Sequence, residues 1–123
     1  MSKIFRYMMM VLALAAIFQA CEYEWIEPED AEIPDAISYS NNIQPIFNRS
    51  CNTSGCHTSG GPDPDLSPDN SYNALLTGEY VDVNNPEGSS LYTSVKFGSM
   101  QVYAQPEDAA YILKWIEQGA LNN

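Results

Sequence analysis

Apolar residues in this chain fall into one long block near the start and then into short clusters at helical spacing. Met8 to Phe18 is a nearly uninterrupted apolar run. Further on, Ile43, Ile46 and Phe47 recur at the three-to-four-residue interval of one helix face. Asn42 is a good N-cap for that helix, and Pro45 falls in its first turn, where a missing N–H costs little. The helix is expected to run into Cys51. From Cys51 to Asp69, Gly, Pro, Ser and Asp dominate, which reads as loop. Asn70 or Ser71 can cap a short helix carrying Tyr72, Leu75 and Leu76 and closed by Gly78. Asn85-Pro86-Glu87 is a helix start, with proline at the first position and an acid near the positive end, and that helix presents Leu91, Tyr92 and Val95. Gln105-Pro106-Glu107-Asp108 repeats the signal for a last helix with Ile112, Trp115 and Ile116 as its apolar stripe, ending at Gly119. No stretch alternates in the manner of a strand. The pattern predicts an all-α domain over residues 38–123, with about four short helices joined by long loops.

The first block belongs to something else. Lys3 and Arg6 give a basic start, the apolar run follows, and Phe18-Gln19-Ala20 places small and apolar residues before Cys21. That arrangement is a secretory signal over residues 1–20, and the run is short of the ~20 apolar residues of a membrane span. Cys21 resembles the modified cysteine of a bacterial lipoprotein, where cleavage leaves it as the lipidated first residue. Otherwise it ends an ordinary signal peptide. Residues 21–37 are acidic, with seven acids and two prolines between Glu22 and Asp35. Self-repulsion and proline make this an extended tether. The alternative is an ordered strap packed through Tyr23, Trp25 and Ile26.

Charge narrows the partners. Loss of Lys3 and Arg6 leaves three basic residues (Arg49, Lys96 and Lys114) against sixteen acids, a net charge of −13. Such a surface excludes nucleic acid and favours a basic docking partner. Size narrows the interior. A domain this small, with a loop of that length and few large apolar groups, is marginal without a staple. Long loops of this kind are normally organised by something other than secondary structure.

The candidate staple is in the loop. Cys51-Asn52-Thr53-Ser54-Gly55-Cys56-His57 places two thiols beside the chain's one histidine. The usual form of covalent haem attachment is C-x-x-C-H, and here two further residues separate the cysteines. A buried haem would also supply the missing apolar core. Once the signal is removed, Met100 is the one methionine left, in a loop flanked by Gly98, Ser99 and Gln101. His/Met ligation is common in c-type haem proteins and raises the potential. Two other readings stay open. Cys51 and Cys56 could form a disulfide, the default for exported thiols, which would make the chain a non-redox surface lipoprotein acting as an interaction module. Alternatively, zinc could take Cys51, Cys56 and His57, with Asp63 or Asp65 completing the set. Catalysis has little support: there is no serine elbow, no second histidine and no phosphate-binding glycine loop.

The order of helix, Cys-x(n)-Cys-His, Gly/Pro-rich loop, short helices, Met loop and Trp-bearing last helix resembles a monohaem class I cytochrome c domain. The likeness runs over roughly Ser38 to Asn123. Ser40-Asn41-Asn42-Ile43-Gln44-Pro45-Ile46-Phe47 resembles the entry helix of bacterial cytochrome-c-like lipoproteins, and Ile112-Leu113-Lys114-Trp115-Ile116-Glu117-Gln118-Gly119-Ala120 resembles their closing helix. The resemblance implies one covalent haem c, with thioethers to Cys51 and Cys56 and with His57 and Met100 as axial iron ligands. It implies that Ile43, Ile46 and Phe47 meet Ile112, Trp115 and Ile116. A proline carbonyl is expected to receive the other N–H of the proximal histidine, with Pro62 and Pro64 as candidates and neither assigned. The implied role is that of an electron carrier rather than an enzyme. It would be lipid-anchored in the cell envelope, periplasmic or surface-exposed, and would exchange single electrons with redox protein partners.

Overall fold

Ser38 opens the domain in extended conformation and its Oγ accepts from the Asn41 N–H at 3.3 Å, while Asn42 Oδ1 accepts from the Ser38 N–H at 2.9 Å. Those reciprocal bonds place the helix cap at Ser38, four residues ahead of the expected Asn42. A π-turn, Tyr39–Ile43, then runs straight into helix α2, Gln44–Ser50. Pro45 has no N–H to give, so the chain changes pitch there without losing a bond. The computed structural model describes residues 3–17 and 32–123. Helix α1, Lys3–Ile17, occupies the apolar block. Among the described residues, no helix is long and apolar enough to cross a membrane. Cys21 and most of the acidic segment lie outside the described residues.

The remaining elements are α3 (Ser71–Thr77), α4 (Ser90–Lys96) and α5 (Asp108–Glu117), with 3₁₀ turns at Pro86–Gly88 and Gln101–Tyr103. The domain is all-α, with no strand among the described residues. One of these boundaries differs from expectation. At the Asn85-Pro86-Glu87 start, the chain makes only a 3₁₀ turn, and α4 begins at Ser90. The Ser89 hydroxyl is engaged by the Asp82 N–H at 2.9 Å and the Leu91 N–H by the Tyr80 carbonyl at 3.0 Å, which holds the chain off the helix axis until then. Helix α3 closes at Gly78 as expected, with the Gly78 N–H bonded back to Ala74 O, and the residue after it, Glu79, is left-handed, φ 58°. Bonds from Tyr80 N–H to Leu75 O and from Glu79 N–H to Leu76 O close that end. A side chain on Gly78 would strike the Tyr80 ring, with a Cβ only 2.3 Å from it. The end of α5 has the same closure, from Ala120 N–H to Trp115 O and from Gly119 N–H to Ile116 O.

Ile43, Leu75, Ile112, Trp115 and Ile116 are fully buried and join Phe47 and Ile46 in one core. The π-turn and α4 both pack on α5. Tyr39 stacks against Tyr72 and Trp115 at 5.2 Å between ring centroids, and Trp115 donates its indole N–H to Leu121 O at 2.9 Å. Such aromatic pairs add about 1 kcal/mol beyond area burial. The acidic segment's last residues join this core: Ile37 is buried, Ile33 packs on it, and Gln118 bonds both the Ile37 N–H and the Asp35 carbonyl.

Candidate functional site

The loop after α2 is held by backbone bonds rather than by secondary structure. Cys51 caps α2 through its N–H to Phe47 O, and the His57 N–H returns to Cys51 O at 3.0 Å. The residues between make an exposed excursion that turns at Gly55, φ 83°. Only glycine adopts that conformation freely. Two extra residues between the cysteines are therefore absorbed outward, and His57 still lands beside Cys51. On its other side, the His57 carbonyl accepts from the Leu66 N–H at 2.8 Å. Gly61 lies so close beneath this turn that a Cβ would come within 2.2 Å of Cys56 O.

The His57 ring is oriented by two carbonyls. Nδ1 is 3.1 Å from Pro62 O and 3.1 Å from Pro64 O. Carbonyls only accept, so Nδ1 carries the proton, and in the neutral ring Nε2 keeps its lone pair. Both prolines that the sequence left unassigned thus contribute. Leu66, at the far end of the loop, is tied down in turn. Its carbonyl accepts from Gln44 Nε2 at 3.2 Å and from Asn52 Nδ2 at 3.1 Å.

His57 borders an open cleft of about 190 Å³. Ile46 and Phe47 wall it from α2 and Cys51 from the cap that follows, Pro64 and Leu66 from the loop, Leu91 and Val95 from α4, and Ile112 from α5. Met100 borders the same cleft, half-buried, with its N–H bonded to Ser94 O at 3.2 Å. The fold thus gathers Cys51, His57 and Met100 at one apolar cavity, from positions 49 residues apart in the case of Cys51 and Met100. Cys56 adjoins His57 in sequence but is exposed and outside the lining. Both thiols are free. Burial pushes the Cys51 thiol up to about 11, and the negative charge of Asp108 adds to it.

Asp65 is occupied within its own turn. It accepts from Ser67 N–H and Oγ and from Asn70 Nδ2, and the Ser67 bonds hold its carboxyl below the usual range. Among the described residues, no three His, Cys, Asp or Glu side chains gather as a metal site. One functional-looking group escaped the sequence reading. Asp108 has the pattern of a helix-start acid, yet it is buried, borders the cleft and pairs with Arg49 at 2.6 Å. Arg49 lies in the last turn of α2, and only the fold shows that the two meet. Comparison with family models, with curated proteins and with solved structures finds no match.

Proposed function

We propose that this chain is a membrane-anchored monohaem c-type cytochrome that carries single electrons in the cell envelope. The observation that carries the reading is His57: its Nδ1–H is donated to the Pro62 and Pro64 carbonyls, and the ring borders an apolar cleft shared with Cys51 and Met100. An imidazole oriented through its second nitrogen is the arrangement that metal-ligating histidines adopt. Cys51 and Cys56 would hold the haem by thioethers, while His57 and Met100 would take its two axial positions, in a small cytochrome c-like fold. The haem supplies the redox couple, one electron taken up and one released.

The chain's own part is positioning and solvation. The two proline carbonyls set the ring, and Gln44 and Asn52 hold the loop that carries it at Leu66. Apolar walls from α2, α4 and α5 would surround a bound haem, and a low dielectric with thioether ligation would favour a high potential. Ligation by both His57 and Met100 would leave no open position, which would favour electron carriage over gas or peroxide chemistry. The anchor would be a lipidated Cys21, and the acidic surface would select redox partners with basic faces.

Expression of the full chain in a host with c-type maturation tests this, read by intact mass and by the pyridine haemochrome spectrum. The expected product carries one haem that survives denaturation, with acyl groups on Cys21. A colourless product with Cys51 joined to Cys56 would refute it and leave the disulfide-bonded interaction module.

A further inference from the structure

Asp108 is the one buried charged side chain among the described residues. Its Oδ1 accepts from Arg49 Nη2 at 2.6 Å and its Oδ2 from the Gln105 backbone N–H at 2.8 Å. Asp108 borders the cleft shared by His57 and Met100, and it also borders a second pocket alongside Arg49, Asn41 and Tyr111. It therefore stands in the wall between the two, whereas Arg49 borders only the second. Opposite charges this close cancel only when water screens them equally. Here the Asp108 side chain is 2% exposed and that of Arg49 41%. The guanidinium is the better screened, so the cleft feels a residual negative charge.

We propose that Asp108 and Arg49 together set the reduction potential of this site, the carboxylate lowering it and the guanidinium limiting the drop. The proposal rests on the electron-carrier reading. Oxidised iron carries one more positive charge than reduced iron, so a fixed carboxylate at the cleft wall stabilises the oxidised form. Neither residue hydrogen-bonds His57 or Met100; both act through charge. The pair also explains why a carboxylate sits in so apolar a wall, because Arg49 and the Gln105 N–H satisfy both of its oxygens.

Redox titration of the haem-loaded full chain tests the assignment on wild type, Arg49→Gln, Asp108→Asn, the double variant and Arg49→Lys. Asp108→Asn keeps an acceptor for Gln105, and its ligand-to-iron bands should match wild type. The expected order of potentials, lowest first, is Arg49→Gln, wild type, double variant, Asp108→Asn, with Arg49→Lys close to wild type. The two single charge deletions should stand at least about tenfold apart in reduced-to-oxidised ratio at a fixed solution potential, which is 59 mV for one electron. If Arg49→Gln yields no holoprotein, Asp108→Asn above the double variant above wild type carries the same test. A purely structural pair would shift both single variants to the same side, or neither, and either result overturns the proposal. A wild type without haem overturns the electron-carrier reading itself. Haem present with unordered potentials overturns this inference alone.

Discussion

Gln44 joins helix α2 to the loop that carries His57, and replacing it tests whether that joint is energetic or incidental. Its Nε2 donates to Leu66 O at 3.2 Å and to Asn48 Oδ1 at 2.9 Å, and its Oε1 accepts from the Ser71 hydroxyl. Ser71 Oγ accepts in turn from Tyr39 OH at 2.7 Å. Gln44, Ser71 and Tyr39 are all buried. Gln44→Met keeps the shape and deletes the bonds. Leu66 O and Asn48 Oδ1 retain Asn52 Nδ2 at 3.1 and 2.8 Å, so those two losses cost little. The Ser71 hydroxyl is left buried without its acceptor, at about 1–3 kcal/mol, and the bonds themselves add about 1 kcal/mol. The expected loss is about 3 kcal/mol, a large share of a typical folding free energy of about 5–15 kcal/mol. The triple change Tyr39→Phe, Gln44→Met, Ser71→Ala removes every member of the chain together and should cost about 1 kcal/mol, less than the single variant. Urea unfolding measures both, as a shift of midpoint at constant slope. A Gln44→Met loss under about 1 kcal/mol, or a triple variant as costly as the summed singles, refutes the reasoning.

Three further outcomes follow from the site. Met100→Ala should retain covalent haem while abolishing the sulfur-to-iron charge-transfer band, and survival of that band would remove Met100 from the iron. In reduced, haem-free protein, Cys51 is pushed up from 9.0 to about 11, so below pH 9 its thiolate population is about a hundredfold smaller than in the unfolded chain. Its alkylation rate should therefore keep climbing to about pH 11 when folded but level off near pH 9 in urea, and coincident profiles would refute the burial argument. Gly61→Ala must displace the Cys56 carbonyl, at about 2 kcal/mol and with reduced haem attachment. Thermal unfolding and haem content check it, and a wild-type result in both would mean the turn is not packed as described.

The helices were legible because each declares itself in a few residues. Ile112, Trp115 and Ile116 sit at helical spacing, and all three are fully buried in α5. Boundaries were less legible, because they depend on bonds to distant residues. Asn42 and Ser38 are equally good caps in isolation, and what favours Ser38 is a C-terminal clasp that the sequence does not announce. Tyr39 and Ser40 donate their N–H groups to the Asn123 side chain and carbonyl, at 2.8 and 2.9 Å. The Pro86 turn likewise becomes 3₁₀ because Tyr80 and Asp82 already hold Leu91 and Ser89.

The candidate site divides along the same line. Cys51, Cys56 and His57 are contiguous, so their chemistry could be read from one short window. What the window could not give is how the ring is turned. Pro62 and Pro64 stand five and seven residues from His57, and in an extended loop their carbonyls would lie over about 15 Å from Nδ1. The loop instead folds back on itself, pinned where Cys51 O receives the His57 N–H and where the His57 carbonyl receives that of Leu66. Both pins join backbone to backbone, and such bonds leave no mark in residue identity. Asp108 escaped for a different reason. A helix-start acid is ordinarily solvated, and its burial here depends on Arg49 meeting it from a helix 59 residues earlier. Charge pairs across that distance are set by tertiary packing, so the buried acid in the cleft wall was the residue that local pattern least distinguished.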